Sequence, residues 1–377
     1  MNATTPRIFI AATEQNTGKT TTSLGLYAAL RKDFERIGFM KPVGQRFVAV
    51  DGLQIDEDSV LIRDTFDTQV PIEHMSPIAV EPQFTRRYIN HANNDALVRR
   101  IQHSFDRAAW EKDFAIIEGT GHAGVGSVFD LSNARVARIL KSKVLLITPA
   151  GIGRPIDEAA VNKALFDKED VEVIGVVMNK VLPDRLDSIA DIARRGFERL
   201  GLELVGMIPR ERMLAQPSLE QVCETIRGQF LHGGRRSRRR IGKTMIGAMS
   251  ASNIFLGVEN DTLLIVPGDR EDVVAAVLSH SIETGGGPFC GVVISDDLTP
   301  GGEVQEMMRR ARLPLIASPI DSYSIANRIH SMTVKTMPGD VEKIGRIQSL
   351  VSQHVDIPRI LEKIGHPAAF SPPPSEP

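Results

Sequence analysis

The sequence predicts an α/β protein: a doubly wound, mostly parallel sheet over residues 1–215, followed by a smaller α/β domain over 216–335. Three observations predict this. Short runs such as 8–12 and, but for its final Thr148, 144–148 are apolar throughout, as expected of parallel strands covered on both faces. Longer amphipathic stretches alternate with them, the signature of βα units. A length of 377 residues admits two domains at ~100–200 residues each.

Taken in order, strands are expected at 8–12, 37–41, 114–118, 144–148, 173–178 and 204–208. Helical periodicity covers 19–32, 94–110, 155–166 and 186–200 between most of them, and 218–227 reads as one more helix. The Gly and Arg cluster 233–240 has no period and reads as an exposed, solvated loop, with a nucleic-acid or anionic-partner patch as the alternative. The second domain resumes the alternation, with strands at 263–266, 290–294 and 313–318 and helices at 272–282, 302–311 and 320–329. Helices at 340–354 and 357–364 form a separate C-terminal segment, 336–365, and the Pro-rich stretch 366–377 reads as a disordered tail.

Apolar residues are 42% of the chain but aromatics only 5%, so aliphatic side chains must fill the cores. A net charge of −2 gives no whole-protein field for nucleic acid or an anionic membrane. No 18-residue apolar run occurs, and residues 7–12 enter a strand pattern without a basic, apolar leader. Cys223 and Cys290 are far apart in apolar surroundings, where buried structural thiols are expected. The expectation is a cytoplasmic protein without a membrane or nucleic-acid partner.

The first strand runs into Thr13-Glu14-Gln15-Asn16-Thr17-Gly18-Lys19-Thr20-Thr21 and then a helix. A phosphate loop has the form G-x-x-x-x-G-K-[ST]: backbone N–H groups face the phosphates, the Lys neutralises their charge, and the hydroxyl meets Mg²⁺. Gly18, Lys19 and Thr20 fit, while Thr13 stands where the first Gly would be. Thr13, Glu14, Asn16, Thr17, Gly18, Lys19, Thr20 and Thr21 are the candidates for holding ATP.

Companion residues are placed by the same logic. Glu118 closes the apolar run 114–117 and is a candidate Mg²⁺ ligand beside Thr20. Asp58, in the triplet Asp56-Glu57-Asp58, is another, although such a triplet equally suits a helix N-terminus. Lys41 ends the second strand, where α/β sheets bind ligands; it reads as an anion clamp or as a surface lysine. Asn179 follows the strand 173–178, where its amide suits a nucleobase edge or merely ends the strand. His122, in the Gly-rich stretch 121–127, reads as a general base or as a solvated loop residue.

These segments, in this order, resemble dethiobiotin synthetase, and the cobyrinic acid amide synthases are similar. The resemblance rests on the loop 13–20, Lys41-Pro42-Val43, Glu118-Gly119-Thr120-Gly121 and Asn179-Lys180. It implies that Lys19 and Thr20 hold phosphate and Mg²⁺, that Glu118 and Asp58 complete the metal site, that Lys41 faces the reacting substrate, and that Asn179 meets the base. Residues 246–249, 267–273 and 319–324 are similar to the DRTGG domain, with Gly268-Asp269-Arg270 the nearest echo of its name. The pairing resembles the N-terminal, non-catalytic part of long bacterial phosphate acetyltransferases.

The departures from these families shape the functional expectation. Gly44-Gln45-Arg46 follows Lys41-Pro42-Val43 where dethiobiotin-forming members carry a small hydroxyl residue. Neither cysteine has a His partner of the glutaminase kind. No second Lys stands early in the loop, as partitioning ATPases require. The chain ends where the acetyltransferase catalytic domain would begin, so phosphate acetyl transfer is not expected of it. The expected function is that of an ATP- and Mg²⁺-binding regulatory or accessory protein, self-associating, with a second small ligand at the DRTGG domain. The alternative is an ATP-dependent ligase that activates a small carboxylate or carbamate, with Lys41 and Glu118 catalytic.

Overall fold

A computed structural model of the chain describes residues 2–298 and 300–366. It divides into two compact units. One is built from the chain up to Glu211 and again from Thr336; the other spans Arg212–Lys335.

The first unit opens with β1 (Arg7–Ala12), α1 (Lys19–Leu30), β2 (Ile37–Met40) and β3 (Val43–Gly44). A hairpin of β4 (Phe47–Val50) and β5 (Leu53–Asp56) leads into α2 (Glu57–Phe66), α3 (Ile72–Met75), β6 (Ile78–Ala79), α4 (Phe84–Asn90) and α5 (Asn94–Ala108). The chain returns to the sheet with β7 (Phe114–Glu118), α6 (Asn133–Ile139), β8 (Lys143–Pro149), α7 (Arg154–Lys168), β9 (Val173–Val181), α8 (Leu186–Glu198) and β10 (Leu204–Pro209). Every pairing in the central sheet is parallel, in the order β10-β9-β8-β1-β7-β2. All six residues of β1 are buried, so the strand is covered on both faces as its unbroken apolar run requires.

The second unit contains α9 (Leu219–Thr225), β11 (Gln229–His232), β12 (Lys243–Ile246), β13 (Thr262–Pro267), α10 (Glu271–Thr284), β14 (Phe289–Ser295), α11 (Gly302–Arg310), β15 (Leu315–Ala317) and α12 (Ser322–Ser331). Its sheet runs β11-β15-β14-β13-β12, parallel except for β11. The two-residue period of β13 splits the core: Leu264 and Val266 join one buried cluster, Leu263 and Ile265 the other. Both cysteines are free and buried in the second cluster, and burial pushes the Cys290 thiol up to about 12. The Arg cluster is at the surface as expected but is tethered. Arg239 pairs with Asp261 at 3.2 Å, and Arg236 donates to the Arg312 carbonyl.

One expectation is corrected. The helices α13 (Val341–His354) and α14 (Ile357–Ile364) are not a separate C-terminal segment but part of the first unit. Helix α13 lies so close to α1 that a Cβ on Gly25 would meet Val351 Cγ2 at 2.3 Å. Val355 bridges to Gly206 in β10. Helix α14 is pinned by Lys363, whose ammonium donates to the Ile174 carbonyl at 2.8 Å. Arg359 and Lys363 both grip Glu203, at 2.9 Å and 2.6 Å. The tail expected to be disordered lies, apart from His366, outside the described residues.

The hydrogen bonds from Arg359 and Lys363 hold the Glu203 carboxyl down at about 2. A depressed carboxylate stabilises the fold above its unfolded pKa and loses that contribution as pH falls toward 2. Glu203→Gln is therefore expected to lower stability in urea unfolding at pH 7 by ~1 kcal/mol or less, because the pair is solvent-screened. The gap between variant and parent closes as the pH is lowered from about 4.5 toward 2.

Candidate functional site

The loop 13–18 leaves the carboxyl end of β1, the strand at which the sheet order turns: β8, β9 and β10 lie to one side, β7 and β2 to the other. A crevice forms at such a reversal, and open α/β sheets bind ligands there. Gly18 caps α1 with φ +104°. A Cβ at this position would sit 2.1 Å from Asn179 Nδ2. Glycine is needed twice over, for the left-handed backbone and for the space.

Buried amides hold the loop in shape. Asn179 Nδ2 donates to the Thr17 carbonyl at 2.8 Å, and its Oδ1 accepts from Lys180 N–H at 2.8 Å. In this structure the Asn179 amide nitrogen thereby holds the loop, while its oxygen caps the neighbouring Lys180 amide. Asn162 Nδ2 donates to the Thr13 carbonyl at 3.3 Å, and Lys180 Nζ to the Asn16 carbonyl at 2.6 Å. Thr17 Oγ1 donates to the Glu14 carbonyl at 2.9 Å. The Glu14 carboxylate turns away to Arg154 at 3.0 Å. Asn16 has φ +58°. Thr21 is half-buried on α1, and the Thr13 hydroxyl is buried without a partner.

Beneath the loop lies a buried charge cluster. Lys41, just past β2, places its ammonium against Asp58, at 2.9 Å from Asp56 and at 3.8 Å from Glu118. Thr20 Oγ1 donates to Glu118 Oε1 at 2.8 Å, whereas Glu118 Oε2 and Asp56 Oδ2 are buried without partners. Burial, then repulsion from Asp58, raises the Glu118 carboxyl to about 7 against the attraction of Lys41. Burial likewise raises Asp56. For Lys41 burial works the other way, yet Asp58, Asp56 and Glu118 together outweigh it and raise its pKa. Lys41 is thus buried rather than at the surface, and in this structure the anions it neutralises are the protein's own carboxylates.

Lys19 is buried and donates to the Gly121 carbonyl at 2.9 Å. Burial lowers its pKa to about 8, with Glu118 opposing and Lys41 reinforcing the shift. The Gly121 loop is fixed by Asn133, which accepts from Thr120 N–H at 3.0 Å and donates to the Thr120 and His122 carbonyls at 2.6 and 2.7 Å. His122 itself is exposed, its Nδ1 accepting from Gly124 N–H. Asp56, Asn133 and Asn162 were not singled out as site residues by the sequence. Asp56 left a signal in the Asp-x-Asp spacing of a helix cap, whose side chain accepts from Asp58 N–H. The asparagines left none, because only the folded chain brings their partners near, 11–13 residues away for Asn133 and 39 and 149 for Asn162.

The cluster suits a hard divalent cation. Among the described residues no group of three or more His, Cys, Asp or Glu side chains is built to hold a metal by itself. A loop-bound cation, however, takes a hydroxyl and phosphate oxygens as well. Thr20, Glu118 with its unpartnered oxygen, and Asp58 are oxygen donors of the right kind.

Comparison with known proteins gives two matches to families: residues 6–218 to the family described as AAA domain, and residues 221–332 to that described as DRTGG domain. The chain is 27% identical over 376 residues to phosphate acetyltransferase of Pseudomonas aeruginosa, covering 95% of this chain and 52% of that one. It is 28% identical over 373 residues to phosphate acetyltransferase of Pseudomonas putida, with the same coverage. The chain spans about half the length of the curated relatives it matches. Among solved structures, the MinD cell division protein of Aquifex aeolicus aligns at 15% identity with a TM-score of 0.34, over 55% of this chain and 84% of that one.

Two outcomes follow from the geometry. Gly18→Ala forces Asn179 aside and strains the backbone, and is expected to cost ~1–3 kcal/mol in urea unfolding. Lys41→Met strands three buried carboxylates and is expected to cost ~3–5 kcal/mol at pH 8. Carboxyls with raised pKa values take up protons as the pH falls, so the Lys41→Met penalty shrinks at pH 5. An equal penalty at both pH values would remove the charge argument.

Proposed function

The chain belongs to the AAA-domain family, with a DRTGG domain behind it, and from that premise we propose that its phosphate loop binds ATP with Mg²⁺ in a regulatory or accessory role. One observation carries the reading: the Thr20 hydroxyl bonds Glu118, a carboxylate fully buried at the foot of the loop beside Asp58 and Lys41. In this reading Thr20, Glu118 and Asp58 hold Mg²⁺, which would supply charge to polarise the phosphates. Lys19 leaves the Gly121 carbonyl for the β/γ phosphates, and the loop amides from Asn16 to Lys19 face the phosphate chain. Support for the regulatory role comes from the fused DRTGG domain and from the internal use of Lys41. Self-association of the chain belongs to the same proposal.

A second reading, ATP-dependent activation of a small carboxylate or carbamate, is favoured by one observation. A groove of about 330 Å³ in the same unit is lined by Ser76, which accepts from Asp56 N–H at 3.0 Å beside the cluster. Ile55, Ile78 and Phe84 form its apolar wall, and Arg100 lies on it with Glu73 and the Arg87–Glu81 pair at 2.9 Å. Its size suits a small acid. Under this reading Lys41 moves from the carboxylates to the substrate when Mg²⁺ arrives.

Calorimetric titration with Mg-ATP tests the first reading: binding is expected in the parent and a loss of at least tenfold in Lys19→Ala, since charged hydrogen bonds to phosphate are worth ~1.5–3 kcal/mol. Mg²⁺ competes with the proton on Glu118, so binding strengthens as pH rises through about 7. It weakens above about 8 as Lys19 loses its charge. Measuring ADP release separates the readings. Turnover stimulated by small carboxylic acids and abolished in Lys19→Ala favours the ligase, while tight binding without turnover favours the regulator.

A further inference from the structure

We propose that the second unit carries a binding site for a small organic anion, a phosphate or carboxylate head on an aliphatic body, in the groove between the open edge of β12 and helix α12. The groove encloses about 580 Å³, within the ~300–1,000 Å³ of small-molecule sites. Its walls come from this unit alone: residues 212–217, β12, and α12 with the segment running on to Val334. The site does not rest on the phosphate-loop reading.

Charge is the first observation. Arg212, Lys243 and His330 line the groove, and no Asp or Glu does. Arg212 and His330 are exposed. Lys243 is held at 2.6 Å by Glu259, which stands outside the lining. Both side chains of that pair are about half exposed, so water screens it and an incoming anion can share the ammonium.

The backbone is the second. β12 is an edge strand paired only with β13. Gly247 N–H donates to the Ile265 carbonyl across that pair. Successive residues of a strand alternate the side their N–H and C=O groups face, so Thr244 presents its N–H away from β13. Thr244 also lines the groove, and its amide has no other backbone partner among the described residues. An unpaired edge amide near two permanent cations is an anion donor.

The third observation is the apolar wall. Ile241 and Ile329 are buried there, with Ala326, Met332 and Val334 half-buried around them. No Phe, Tyr or Trp lines the groove, and the one imidazole there, His330, is exposed, which favours an aliphatic body over a stacked base. An added peptide strand is the other use of an open edge. β12 has four residues, and at ~3.3 Å each it offers a ladder of only ~13 Å. The groove's size suits the small molecule better.

Isothermal titration of the full chain with hexyl phosphate, hexanoate and inorganic phosphate tests this. One of the two alkyl anions is expected to bind with a sub-millimolar Kd, inorganic phosphate at least tenfold more weakly, and the tighter alkyl anion identifies the head group. The surface double variant Arg212→Gln/Lys243→Gln is expected to weaken binding at least tenfold, as loss of charged hydrogen bonds does. Ala326→Phe, which fills the groove, is expected to do the same. Lys19→Ala leaves this binding unchanged, whatever becomes of ATP binding. The proposal is overturned by no binding at millimolar concentration, by binding that survives the double variant, or by binding lost in Lys19→Ala. Capture of an acidic, strand-forming peptide without binding of either alkyl anion would overturn it too, and would give the groove to a peptide.

Discussion

The site of the first unit depends on one buried cation. Lys41 leaves the end of β2 and meets Asp56 at the end of β5, Asp58 in the first turn of α2 and, further off, Glu118 at the end of β7. Isolated, each of these charges would be costly to bury. Together they fix three strand ends against one another, and through Thr20 they fix the start of α1. Burial, then repulsion from Asp58, raises the Glu118 carboxyl to about 7 even with Lys41 beside it. A cluster short of positive charge is prepared to accept more of it.

Above that cluster the polar work is done by amides. Asn179, Asn162 and Asn133 each reach out of their own element to a loop carbonyl or amide, Asn162 while also bonding the Glu158 carbonyl of its own helix. The loop carbonyls are thereby occupied from below. This fixes the loop before any ligand arrives, and preorganisation of this sort lowers the entropic cost of binding.

The strands of both sheets were legible wherever they were buried on two faces, because an unbroken apolar run such as Phe114–Ile117 admits few other readings. Edge elements were not legible. β12 is exposed at both ends, and β11 alternates exposed with half-buried residues, so neither stands out from a loop. The pairs β3–β6 and β4–β5 are too short to show a period. Within the site, Gly18, Lys19, Thr20 and Glu118 declared themselves by local pattern. The internal use of Lys41 and Asn179 did not, since it depends on partners that only the folded chain brings near. The place of α13 and α14 was missed for the same reason: an amphipathic helix shows that it has a buried face, not what buries it.

That placement bears on how the molecule is made. Val351 seats against Gly25 across more than three hundred residues of intervening chain, and the helix it covers is the one that the phosphate loop caps. Synthesis proceeds from the N-terminus at ~5–20 residues per second, and domains generally close as they emerge. Here the first unit stays open along α1 while the whole second unit emerges and folds. A nascent chain of this kind displays an unfinished apolar face for tens of seconds, so the order of manufacture, rather than the final stability, sets its exposure to aggregation.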